Sequence, residues 1–317
     1  MLLGATVAVS ALSQAARDGQ AEVNAALQAG EADKALALLR SLPSLVAGSA
    51  EAHNLHCRVL YILEYWDAAG SECEQAVNMD KQNSGYHLWF GRTLGERADR
   101  ASFLNAYSLA KQTRAEFEEA VQLDPRNAEA LADLGEFYTS APAVVGGGTA
   151  KAQAVASQLD KVDPPRAHEL RGRIAGGDKD FETAEKEFKQ AIAVSPHPAF
   201  QWSTLAGFYR RRERWTDMDS AIQNVVAAAE RDKRSSVALY NGASVLMRAR
   251  RNPQLAIKML ESYLSGPSKT EEAPAFVAHV WLARLRSQLG DAAGARRERA
   301  AALALASEFK PAQELKD

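Results

Sequence analysis

Apolar residues recur every three or four positions along most of the chain, and small ones alternate with bulky ones in a fixed order. That interval places them on one face of an α-helix. One run reads Phe181-x-x-Ala184-x-x-x-Phe188-x-x-Ala191-x-x-x-x-Pro196, and the next reads Trp202-x-x-Leu205-Ala206-x-x-Tyr209. The first predicts a helix closed by proline, which cannot continue one. The second predicts the opening helix of the following pair, at a period of about 34 residues. The same order returns elsewhere. Leu134-Gly135-x-x-Tyr138 repeats the opening pattern, while Phe117-x-x-Ala120-x-x-x-Asp124-Pro125 and Ala69-x-x-x-Cys73-x-x-Ala76-x-x-x-Asp80 repeat the closing one. Gly290-Asp291 followed by Ala295 reads as the turn inside the last pair. Small residues fit where the two helices of a pair cross, and large ones fill the gap to the next pair.

This register starts units near Gln20, Ala50, Ser84, Ala128, Ala167, Ala199 and Ser236, with a last helix pair from Ala273 to Phe309. The segment Gln20 to Leu42 reads as a half-unit capping the stack, and residues 310–317 as a polar, fraying tail. Asp99 to Lys111 contains no Gly or Pro, so the helix pair there is expected to be lengthened rather than looped out. Ala141 to Gly148, ending in three glycines, is expected to replace a tight turn with a flexible loop.

Trp202 to Tyr209 resembles the first-helix signature of tetratricopeptide (TPR) repeats, with Ala for Gly, and Phe181 to Pro196 resembles the second-helix signature. The resemblance runs over nearly the whole chain after about residue 20. It implies an all-α fold, a right-handed superhelical solenoid of antiparallel helix pairs over residues 17–309, with a concave groove that recognises proteins or peptides. Over Gly85 to Ala141, the run Gly91…Asn105-Ala106-Tyr107…Phe117-Glu118-x-Ala120…Leu123-x-Pro125 is loosely similar to the elongated repeat of the regulator-of-microtubule-dynamics family. That similarity implies a shared repeat variant only.

Composition adds limits. Of 317 residues, 46 % are hydrophobic, enough for a core, and Lys+Arg 38 nearly balances Asp+Glu 40. Without a basic excess or a polybasic run, neither nucleic acid nor a lipid surface is an expected partner. No segment is apolar enough to form a transmembrane span. Residues 1–12 are apolar and uncharged, and Ser13-Gln14-Ala15 has the small-x-small form that signal peptidase cuts. Residues 1–15 therefore read as a signal peptide, although a basic start is missing, and the protein as exported, periplasmic or secreted, rather than cytoplasmic.

Three constellations carry candidate chemistry. His53 and Cys57 lie four apart on one helix face, Cys73 falls in the second helix of that unit, and His87 in the next unit. These four are metal candidates of zinc type, but their spacing fits no zinc signature, so no metal or other cofactor is expected. Cys57 and Cys73 equally suit a disulfide in an exported protein, or two buried free thiols. Gly146 to Gly148 invites a phosphate-loop reading, but no Lys-Ser or Lys-Thr follows at the required spacing. Last, the residue after each small packing position of a first helix is expected to face the groove: Arg58, Arg92, Glu136, Arg173, Gly207 and Arg284, with Asn54 one turn before Arg58. A row of guanidinium groups favours carboxylates. The same row also suits a solvated face with internal pairs such as Arg173 with Glu136. No G-x-S-x-G or H-E-x-x-H occurs. The reading is a non-catalytic, protein- or peptide-binding scaffold that prefers acidic or carboxylate-bearing partners. The alternatives are an exported metal- or cofactor-binding helical protein, or an enzyme with a site near the glycine loop.

Overall fold

The computed structural model describes residues 17–315; the candidate signal segment lies outside them. Among the described residues there is no strand, and helices follow one another in antiparallel pairs. A first helix over 17–29 (α1) pairs with α2 (Ala32–Ser41), and a short α3 (Ser44–Ala47) follows. The next pairs are α4 (Ala50–Ile62) with α5 (Trp66–Met79), α6 (Ser84–Arg100) with α7 (Phe103–Leu123), and α8 (Ala128–Ser140) with α9 (Thr149–Leu159). Then come α10 (Pro164–Gly177) with α11 (Phe181–Val194), α12 (Ala199–Arg211) with α13 (Trp215–Arg231), and α14 (Val237–Ala249) with α15 (Pro253–Ser265). The last pair is α16 (Ala275–Gln288) with α17 (Ala292–Leu305), followed by the short α18 (Lys310–Gln313). The observed starts follow the sequence register closely. Capping side chains set several of them: Ser49, Asn127, Asp163, Asp180 and Asp291 each accept the backbone N–H three residues on.

The crossing inside a pair explains the small residues. A Cβ on Gly172 of α10 would sit 2.8 Å from the Phe188 ring of α11, so only glycine lets the two helices approach this closely. Cys57 and Cys73 stand at the same spacing in the α4–α5 pair. There the two side chains are joined as a disulfide, with Cα atoms 5.2 Å apart.

A second device recurs between the helices of a pair. His53 meets Glu72 at 2.6 Å, His168 meets Glu187 at 2.7 Å and His279 meets Glu298 at 2.7 Å, each through Nδ1 and each with a separation of 19. The histidine sits in the opening turns of the first helix and the glutamate in the middle of the second. The sequence reading missed this spacing, which is visible in the chain as three His-x18-Glu matches.

The chain divides into two compact units, residues 1–93 with 270–317, and residues 94–269. In the first unit the two ends of the chain share one core. Leu27, Leu55 and Val59 pack with Phe276, Val280 and Phe309, and the Phe276 and Phe309 rings meet edge-on at 4.8 Å. Tyr65 donates to the Glu308 carbonyl and Asp33 accepts the Ser307 N–H. Within the tail expected to fray, the described residues 310–315 pack onto this core: Ala312 is buried, and Arg299 donates to the carbonyls of Ala312 and Gln313. The half-unit at Gln20 to Leu42 is likewise a full helix pair built into this core.

In the second unit, α7 is 21 residues long, as the absence of Gly and Pro predicted. The glycine loop departs from expectation. It is a closed turn, in which Gly146 N–H, Gly147 N–H and Gly148 N–H go to the carbonyls of Ala143, Pro142 and Tyr138. Arg114 donates to the Val145 carbonyl and Lys151 to that of Gly146.

Candidate functional site

The arginines expected to form one row divide between the units. In the first unit, Arg58 grips Glu271 with two donors, Nε to Oε2 at 2.9 Å and Nη2 to Oε1 at 2.6 Å. Asn24 accepts from Arg58, and Gln28 donates to the same Glu271. The Arg58 and Glu271 side chains are 12 % and 8 % exposed. Arg92 lies 3.9 Å from Glu272, and both guanidinium groups lie over the Trp89 ring, at 5.4 Å for Arg58 and 4.7 Å for Arg92. An acidic stretch of the chain itself therefore occupies these two arginines. Asn54 is buried in α4, and its Oδ1 has no hydrogen-bond partner among the described residues, so it lines no open groove.

In the second unit the opening helices α8, α10, α12 and α14 carry Glu136, Arg173, Gly207 and Arg248. Arg173 donates to Glu136 across adjacent pairs at 3.1 Å, with both side chains substantially exposed. Gly207 leaves room at its register position, and Arg211 fills it from one turn on: its Nη1 lies 3.7 Å from where a Cβ on Gly207 would stand. Arg210 and Arg248 complete the cluster. Burial and the neighbouring charges of Arg173, Arg210 and Arg248 push the Arg211 guanidinium down, opposed by Glu136. It remains a cation, as arginine does in proteins. Glu136, paired with Arg173, thus opposes the positive charges that act on Arg211.

Glu169 of α10 lies near Arg173 and Gln201, both of which favour its charged form. Burial pushes the Glu169 carboxyl up, against the pull of Arg173. Gln201 is buried and its Oε1 lacks a partner among the described residues. Sequence reasoning found Glu136 and Arg173 but did not place Arg211 on their row. The signal it passed over was the glycine: an empty register position invites a long side chain one turn away to lie back over it.

The other candidates come apart. His53 is taken by Glu72, His87 Nε2 reaches the Lys81 carbonyl, and the two cysteines bond to each other. No group of three or more His, Cys, Asp or Glu side chains among the described residues is arranged to hold a metal ion. The amides of the glycine loop are turned to carbonyls of the chain rather than outward to a phosphate. Arg284 is exposed on α16. No helix among the described residues is long and apolar enough to cross a membrane.

No protein-family model matches this chain, and no curated protein matches it. Among solved structures, a thermophilic TPR protein of Thermus thermophilus is similar, at 21 % identity and a TM-score of 0.46 over 63 % of this chain and 100 % of that one.

Proposed function

We propose that this protein is a non-catalytic scaffold that captures a protein partner through an acidic segment, using the arginines of α10, α12 and α14. The observation that carries the reading is the Arg173–Glu136 pair at 3.1 Å and Arg211 lying back over Gly207, where the charges of Arg173, Arg210 and Arg248 act on it. Guanidinium groups that feel one another's charge repel, and an incoming carboxylate relieves that repulsion while gaining charge-assisted hydrogen bonds. The Arg173–Glu136 pair is exposed, so exchanging it for a partner's carboxylate costs little. The first unit supplies an internal example of the chemistry: arginines at the same register on α4 and α6 hold the adjacent residues Glu271 and Glu272.

A location outside the reducing cytoplasm is part of the same proposal. The Cys57–Cys73 bridge suits an oxidising compartment and supports residues 1–15 as an export signal.

Affinity capture from the native extract, followed by mass spectrometry, tests the binding role. The double variant Arg211→Glu, Arg248→Glu is expected to lose the captured species while its helical circular dichroism stays unchanged. Capture that persists at full level in this variant overturns the site.

A further inference from the structure

The last helix pair repeats the α10–α11 pair position for position, in the register fixed by His168–Glu187 and His279–Glu298. In that register Phe181, Glu185 and Phe188 of α11 become Ala292, Arg296 and Arg299 of α17. In the middle of the array this face is a seam filled by the next pair. Phe188 packs at 5.3 Å from the Phe208 ring, and Glu185 accepts from Tyr209 at 2.9 Å and also from Arg214. At the last pair, among the described residues, α18 and Leu315 rather than a further helix pair lie beside the face. Two rings have shrunk or turned polar, and the acceptor has become a donor.

The result is a cleft of about 330 Å³ lined by Arg284, Ser287 and Gln288 of α16, by Ala292, Arg296 and Arg299 of α17, and by Leu315. Among the described residues no carboxylate lines it. The two acids of this pair are engaged elsewhere: Asp291 accepts from Arg286 at 3.0 Å and from the Gly294 N–H, and Glu298 holds His279. Arg299 is anchored by the carbonyls of Ala312 and Gln313. Arg284 and Arg296 are exposed. Among the described residues no carboxylate compensates the cationic end of the cleft, while Ala283, Ala292, Ala295 and Leu315 supply an apolar wall.

We infer that this cleft is a second binding site, separate from the Arg211 cluster, for a carboxylate borne on a small apolar body. The carboxylate lies between Arg284 and Arg296, in the inverted sense of the Glu185 seam, and the hydrocarbon lies against Leu315 and the alanines. A volume near 300 Å³ is the lower end of the range for small-ligand pockets. A free organic acid and the terminal residue of a polypeptide share this chemistry.

Isothermal titration of the full chain tests it with four probes: hexanoate, hexanol, inorganic phosphate, and the tripeptide Gly-Gly-Leu with a free or amidated terminus. Binding of hexanoate, of the free-acid peptide or of both supports the site, and which of them binds identifies the source. The affinity is expected to fall about tenfold in Arg296→Ala and in Arg284→Ala, the size of one charge-assisted hydrogen bond. Ala292→Glu, at the exposed start of α17, places an acid in the cleft and is expected to abolish binding with helical content intact. Binding of phosphate as tight as hexanoate, of hexanol or the amidated peptide as tight as the acids, or of none of the probes overturns the inference. So does binding that all three variants leave unchanged. Because Arg211→Glu lies in the other unit, it is expected to leave these titrations unaltered.

Discussion

At the scale of single residues, Glu185 shows how one carboxylate can tie a seam. It accepts from Tyr209, Lys189 and Arg214. Burial raises its pKa, but the hydrogen bonds of Arg214, Lys189 and Tyr209 outweigh that and hold it at about 2. A carboxyl depressed in the folded state stabilises the fold above its unfolded pKa, and that contribution is lost as pH falls through the folded value. The window is therefore from about pH 4.5 down to about pH 2. Urea denaturation at pH 7 and at pH 3 is expected to show Glu185→Gln less stable than the parent at pH 7, by on the order of 2 kcal/mol. At pH 3 the gap narrows. An equal gap at both values means the seam does not depend on the charge.

At the scale of elements, the turns inside the helix pairs share a left-handed residue. Gly30 and Gly290 take it at φ 74 and 81, but Glu64, Lys179 and Glu213 take it at φ 64, 65 and 55. A side chain in that region is strained where glycine is not. Lys179→Gly is expected to raise stability by about 0.5–1 kcal/mol in thermal or urea unfolding. No change, or a loss, means that the lysine's stem contributes as much as its backbone strain costs. These turns also show what could be read in advance. The helix pairs were legible because Phe188, Ala191 and Tyr209 mark them by spacing, and Gly290-Asp291 marks its turn. Lys179 and Glu213 gave no turn signal, because the strain they accept is a backbone property that no residue type announces. The candidate site was half legible for a related reason. Arg173 stands at its register position, whereas Arg211 reaches that row only by folding back over Gly207. Arg58 and Arg92 looked open because their partners, Glu271 and Glu272, lie far away in sequence, where no local pattern points to them.

At the scale of the molecule, those two glutamates close the first unit. Removing Arg58 leaves Glu271 buried with Gln28 as its remaining side-chain donor among those placed around it. An uncompensated buried charge is far costlier than a lost surface pair. Arg58→Ala is expected to destabilise the protein by about 3 kcal/mol, measured by urea denaturation. A loss below about 1 kcal/mol would show that the pair behaves as a surface contact. The variant that tests partner capture is thus placed at Arg211 and Arg248, where folding is not at stake.

The shared core of the two chain ends also bears on synthesis. The Gln28–Glu271 contact spans 243 residues. Translation is vectorial, and domains usually fold as they emerge. Here α1, α2 and α4 leave the ribosome long before Phe276 and Phe309 exist to cover them, so their apolar faces stay open while the second unit, contiguous in sequence, can complete itself. These helices are made well before the residues that complete their core.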